Sequence, residues 1–105
     1  MGKYHKVKSS YYLDPRRSND KGEQHIYLKI RVDQTKALLY VNRLVDPRIW
    51  DKARQEHRGK GLEADTLNRY LRKIRLDIDN HANAFNQKEE SFDAADLKRA
   101  CSLNS

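Results

Sequence analysis

The stretch Ile26-Tyr27-Leu28-Lys29-Ile30-Arg31-Val32 decides how this chain folds. Ile26, Leu28, Ile30 and Val32 occupy every second position, and Tyr27, Lys29 and Arg31 fill the positions between. A period of two is the signature of a strand with one buried face. It predicts a strand with an apolar inner side and an outer side that is both basic and aromatic.

Upstream, the run from about Tyr4 to Leu13 alternates less strongly. It places Val7, Tyr11 and Leu13 inward and Lys6, Lys8 and Tyr12 outward. Asp14-Pro15 is expected to end that strand, because proline has no N–H to give to a ladder. The segment 16–24 then supplies turn chemistry through Ser18-Asn19-Asp20-Lys21-Gly22, so the two strands read as an antiparallel hairpin. Downstream, Asp33-Gln34-Thr35 forms a short turn into a third run, Lys36 to Val41. Its alternation admits either facing; we place Leu39 and Val41 inward, with Leu38 and Tyr40 outward or at an edge.

Beyond the strands, Asp46-Pro47 is an N-cap followed by a proline at the first helical position. The expected product is one helical turn that carries the sole tryptophan, Trp50, into the core. The charged segment Lys52 to Gly61 reads as a mobile loop. From Leu62 to Asn86 the period becomes helical: Leu67, Leu71, Ile74, Ile78, Ala82 and Phe85 recur at spacings of three and four. Asp65 and Arg69, Lys73 and Asp77, and Arg75 and Asp79 are spaced for ion pairs on the solvent side. Near the tail, Asp93 and Asp96 are spaced as a capping box, and Phe92 and Leu97 as a hydrophobic staple, for the start of a second helix.

With 105 residues, 35% of them charged, and a mean hydropathy of -1.05, the chain is a very polar single small domain. Its net charge of +7 is unevenly spread. Residues 1–61 hold 15 Lys/Arg against 7 Asp/Glu, a net +8, while residues 62–105 carry -1. Positive charge gathered on one half points to a polyanion partner. The single Cys101 excludes an internal disulfide. No apolar run is long enough for a bilayer span, and no signal-peptide pattern follows Lys3 and Lys6. The cytoplasm is therefore the expected location. The four histidines lack ligand spacing, and no phosphate-cradling or nucleophile-elbow motif occurs. Neither a metal nor another cofactor is expected, and no catalytic residue is assigned.

The chemistry lies instead on the outer sheet face. Lys6, Lys8, Tyr12, Tyr27, Lys29, Arg31, Lys36 and Tyr40 are assigned to it, with Arg16, Arg17 and Arg43 at loops or strand ends. Lys and Arg neutralise phosphates and release counterions. Arg also reads guanine in the major groove, and a β-ribbon fits that groove. Tyrosine adds phosphate hydrogen bonds or stacking.

The ordered pieces resemble a known family. YYLDPRR followed by NDKGEQHIYLKIRV resembles the first hairpin of the arm-type DNA-binding domain of phage-integrase-type tyrosine recombinases carried on conjugative transposons. VDPRIWD, LNRYLRKIRLDI and SFDAADLK resemble that family's Val-x-Pro-x-x-Trp element, its helix, and its link to the next domain. Asn42 stands where the family often has a glycine, and asparagine tolerates the left-handed backbone.

The resemblance implies an α+β domain: a three-stranded antiparallel sheet packed against one long C-terminal helix. The implied organisation is residues 1–90 as the arm-type domain and 91–105 as a link into a core-binding domain. It also implies sequence-specific binding of duplex DNA at arm-type sites, with the sheet in the major groove, as the N-terminal domain of a site-specific integrase acting in DNA recombination. The catalytic domain would lie elsewhere, so this chain by itself is not read as an enzyme. The isolated domain is expected to be a monomer, with other recombinase subunits as partners in the full-length protein.

Two rivals differ in their signatures. A double-stranded-RNA binder would grip through helices and loops, which the balanced charge on the long helix disfavours. A module joining recombinase subunits would show an apolar patch and concentration-dependent dimerisation; Leu38 and the tail helix are its only hints.

Overall fold

A computed structural model describes residues 5–101, apart from the Arg17 side chain. Three strands form one antiparallel sheet in sequence order: β1 (Val7–Ser18), β2 (Gln24–Val32) and β3 (Thr35–Val45). A single 3-10 turn, Pro47–Ile49, leads to a small hairpin of β4 (Trp50–Asp51) and β5 (Glu56–His57). The long helix α1 (Leu62–Gln87) and the short helix α2 (Ala94–Ala100) complete the chain. The fold is therefore the expected α+β sheet backed by a long helix.

The central strand behaves as its alternation demands. Ile26, Leu28, Ile30 and Val32 are at most 1% exposed. Side chains of this type contribute about 1.5–3 kcal/mol each when fully buried. Register carries the same face into the neighbours. Tyr11 pairs with Leu28 and Leu13 with Ile26 on one side, and Leu39 and Ala37 pair with Leu28 and Ile30 on the other. From α1, Leu71, Ile74, Ile78 and Ala82 close over this layer, with Leu67 and Phe85 partly buried beside it. The Tyr11 hydroxyl donates to the Leu71 carbonyl across the core at 2.7 Å. Burial raises the Tyr11 phenol well above its usual range, so it remains a donor.

β3 contains a large irregularity where it pairs with β2. Tyr27 pairs with Tyr40, yet His25 pairs with Leu44. Three residues of β3 thus oppose Ile26 alone, as in a bulge. Asn42 takes a left-handed backbone there, at φ 60°, the conformation its side chain tolerates best after glycine. The bulge keeps Arg43, which alternation would turn inward, exposed, while Val41 and Val45 on either side face the core, 0% and 3% exposed.

Asp46 accepts from the Arg48 amide at 2.9 Å and caps the 3-10 turn. Trp50 follows directly and is 3% exposed. Gly61 precedes α1 at φ 113°, ψ -177°, a region that is essentially closed to residues with a Cβ. At the tail, Asp93 and Asp96 form the reciprocal capping box at 2.9 and 3.0 Å. The Ala94 amide donates to Thr35 Oγ1 at 3.0 Å, tying α2 to the start of β3. Phe92, Ala94, Leu97 and Cys101 are buried in the same core as the sheet.

Four expectations need correction. β1 does not stop at Asp14-Pro15 but runs to Ser18. Pro15 is tolerated because β1 is an edge strand and its register shifts between Asp14 and Ser18, so no ladder bond is asked of it. β3 runs on past Val41 to Val45, the bulge absorbing the break in alternation. The segment after Trp50 is not a structureless loop. Trp50 pairs with His57 and Asp51 with Glu56, and Asn68 of α1 holds the His57 backbone N–H and C=O at 2.8 and 3.1 Å. Arg75 turns to β1 rather than to Asp79: its guanidinium donates to the Ser9 carbonyl at 2.8 Å and lies over the Tyr11 ring at 5.5 Å. An unpaired carbonyl on an open strand edge is a stronger attraction than an exposed helical ion pair. The expected start of the first strand, near Tyr4, lies outside the described residues.

Candidate nucleic-acid interface

A strand face is set by alternation, so burying one side of β2 sends Tyr27, Lys29 and Arg31 to the other. Pairing then builds rows across all three strands. Lys8, Arg31 and Lys36 form the first row, Ser10, Lys29 and Leu38 the second, and Tyr12, Tyr27 and Tyr40 the third. His25 and Leu44 follow beyond them. Chemically, the face grades along the strands from cationic, through mixed, to aromatic.

The cationic end is extended by Lys6, which is exposed just before β1. Lys6, Lys8, Arg31 and Asp33 line a shallow cleft there. Asp33 is engaged from behind by His5, whose Nδ1 lies 2.6 Å from its Oδ2. Arg31 and Lys36 are exposed, and among the described residues neither is paired with a carboxylate.

The aromatic end is ordered by ring contacts. Tyr12 and Tyr27 stack at 5.8 Å between centroids, and Tyr27 and Tyr40 meet at 5.4 Å. His25 lies 5.0 Å from the Tyr40 ring and shares a 2.7 Å hydrogen bond with its hydroxyl. Lys29 Nζ sits 5.8 Å from the Tyr12 centroid, linking the second row to the third. Burial, and then the nearby Asp14 and Tyr27, raise the Tyr12 phenol. It is therefore a hydrogen-bond donor at neutral pH, able to meet a phosphate or base acceptor.

The flanking arginines differ. Arg16 is exposed near the end of β1, where its amide and Nε both donate to Asp14, at 3.0 and 3.2 Å. Arg43 is carried by the bulge away from the rows: its guanidinium lies over the Tyr70 ring of α1 at 4.2 Å and donates to the Asn42 carbonyl. The Arg17 side chain lies outside the described residues. Sequence reasoning missed Ser10 and His25, which the register places among the assigned residues. The signal was present, since both fall in step with the outer alternation. By sequence Leu38 hints at a protein contact, whereas the structure sets it beside Lys29, 43% exposed, in the middle of the cationic and aromatic rows.

Among the described residues, no group of His, Cys, Asp and Glu is gathered that could hold a metal ion. No described helix is long and apolar enough to cross a membrane.

A sequence model of a family described as an arm DNA-binding domain matches residues 11–98, a span that includes β2, β3 and the Tyr12 row. No curated protein and no solved structure matches the chain.

Proposed function

The chain belongs to the arm DNA-binding domain family, non-catalytic modules of integrase-type recombinases, and from that premise we propose how it holds its target. The outer sheet face enters the major groove of duplex DNA. Lys29 and Arg31 read base edges, and Tyr27, Tyr12 and Tyr40 line the groove floor and wall. Lys6, Lys8 and Lys36 neutralise phosphates, and Arg16 and Arg17 flank the groove. Arg43 would join them only by leaving Tyr70. In this reading the chain is the monomeric N-terminal domain of a site-specific tyrosine recombinase, and the duplex is an arm-type site.

One observation carries the reading: every assigned residue of β1, β2 and β3 with a described side chain, Arg43 excepted, lies in the rows of one exposed face or at its margin, while the opposite face is the core. Width supports it. Three strands at about 4.8 Å spacing span about 10 Å, and the major groove is about 12 Å wide. The outer side of α1 carries Glu63, Asp65, Asp77 and Asp79 among its cations, which makes it a poor polyanion surface.

Titration with duplex DNA at increasing salt tests this. For four to six phosphate contacts, log K falls against log salt with a slope of about -4 to -5. Duplex RNA of the same sequence competes weakly, because its deep, narrow major groove does not admit side chains to the base edges. Equal competition by RNA would overturn the groove reading.

A further inference from the structure

We propose that the β4–β5 hairpin is a second phosphate-binding element, gripping the DNA backbone beside β1 through Lys52 and Arg54. This rests on the sheet-in-groove reading above and adds a contact that the outer face does not contain.

The hairpin is fixed in place. Gln55, at its tip, accepts from the Tyr11 amide on the open edge of β1 at 2.7 Å, and from Arg75 at 3.2 Å. Asp51 shapes the turn: its Oδ1 accepts from the Ala53 and Arg54 amides, each at 3.0 Å. Gly59 then follows close to the His57 ring, where an added Cβ would stand 2.6 Å from it. The tip therefore cannot drift from the β1 edge without breaking several hydrogen bonds.

Charge on the hairpin is available. Glu56 is paired with Arg72 at 3.3 Å, and Asp46 with Arg48 at 2.8 Å. Among the described residues, no carboxylate is paired with the Lys52 or Arg54 side chain, and both residues are exposed. Lys52 lines one cleft together with Tyr12, Pro15, Gln24 and Trp50. The hairpin is thus continuous with the Tyr12 margin of the outer face. A sheet about 10 Å wide nearly fills a groove about 12 Å wide, so an element standing just outside β1 meets the phosphate ridge rather than base edges.

The test compares the intact chain with K52Q/R54Q, with K73Q/K98Q as a control for simple loss of charge, on a mixed-sequence duplex over a range of salt. Expected for K52Q/R54Q is a slope shallower by about 2 and roughly tenfold weaker binding at low salt, similar for different duplex sequences. K52R/R54K should restore both, and the unfolding midpoint should not move. An unchanged slope in K52Q/R54Q, or the same change in K73Q/K98Q, overturns the clamp. Should K52Q/R54Q be silent while K29A/R31A loses binding, the clamp fails and the groove reading survives. If the intact chain shows no salt-dependent duplex binding, both fail.

Discussion

Replacing Lys29 and Arg31 together by alanine is expected to weaken duplex binding by about two to three orders of magnitude and to leave thermal unfolding close to that of the parent chain. A well-formed bidentate interaction with a base is worth about 1–3 kcal/mol. Removing both side chains therefore costs about 3–4 kcal/mol of binding, at 1.4 kcal/mol for each factor of ten. The cost to the fold is small, because both side chains lie on the face away from the core. Arg31 is exposed and Lys29 half-buried, with the Tyr12 ring 5.8 Å from its ammonium as the one side-chain interaction given up among the described residues. A partly solvated cation–π interaction contributes about 0.5–1 kcal/mol. Isothermal titration and a thermal scan on the same preparation separate the two effects. Loss of binding accompanied by loss of the folded state would mean that the pair is structural.

The second large effect concerns the fold itself. Trp50→Ala is expected to cost about 3–5 kcal/mol, as deletion of a buried large aromatic does, in a domain whose whole stability is about 5–15 kcal/mol. The midpoint should fall by more than about 12 °C at this chain length. Trp50 matters twice. Its side chain is 3% exposed within the core, and its backbone opens the hairpin whose Gln55 covers the β1 edge. Trp50→Phe should recover much of the loss. A midpoint within a few degrees of the parent for Trp50→Ala would contradict the placement of the indole as a packing anchor.

Most of the core was legible in the sequence because its cause is local. The alternation of β2 is set by adjacent residues, as are the caps at Asp46 and Asp93, the proline at 47 and the three-and-four spacing of α1. Asn42 was also readable: a residue tolerant of the left-handed backbone stands where the backbone reaches φ 60°.

What escaped depends on partners distant in the chain. The extension of β1 past Pro15 follows from its being an edge strand, which no local pattern states. Arg75 looked like half of a helical ion pair, yet Ser9, 66 residues away, supplies its acceptor. The hairpin at 50–57 is held by Asn68 and by the β1 edge through Gln55, and its charged sequence by itself reads as loop. The outer face was legible residue by residue on β2. Its rows needed the register, which set Ser10 beside Lys29 and His25 beside Leu44, and the bulge sent Arg43 to Tyr70.

The central claim is that DNA meets the sheet and not the helix, and a backbone NMR titration with a mixed-sequence duplex, first at low salt and then at higher salt, tests it most directly. The account predicts shifts clustered on residues 6–8, 27–31 and 36–40, with weaker ones at 52–54, all diminishing as salt rises. Shifts concentrated on the exposed side of residues 62–87, or shifts nowhere, would contradict it.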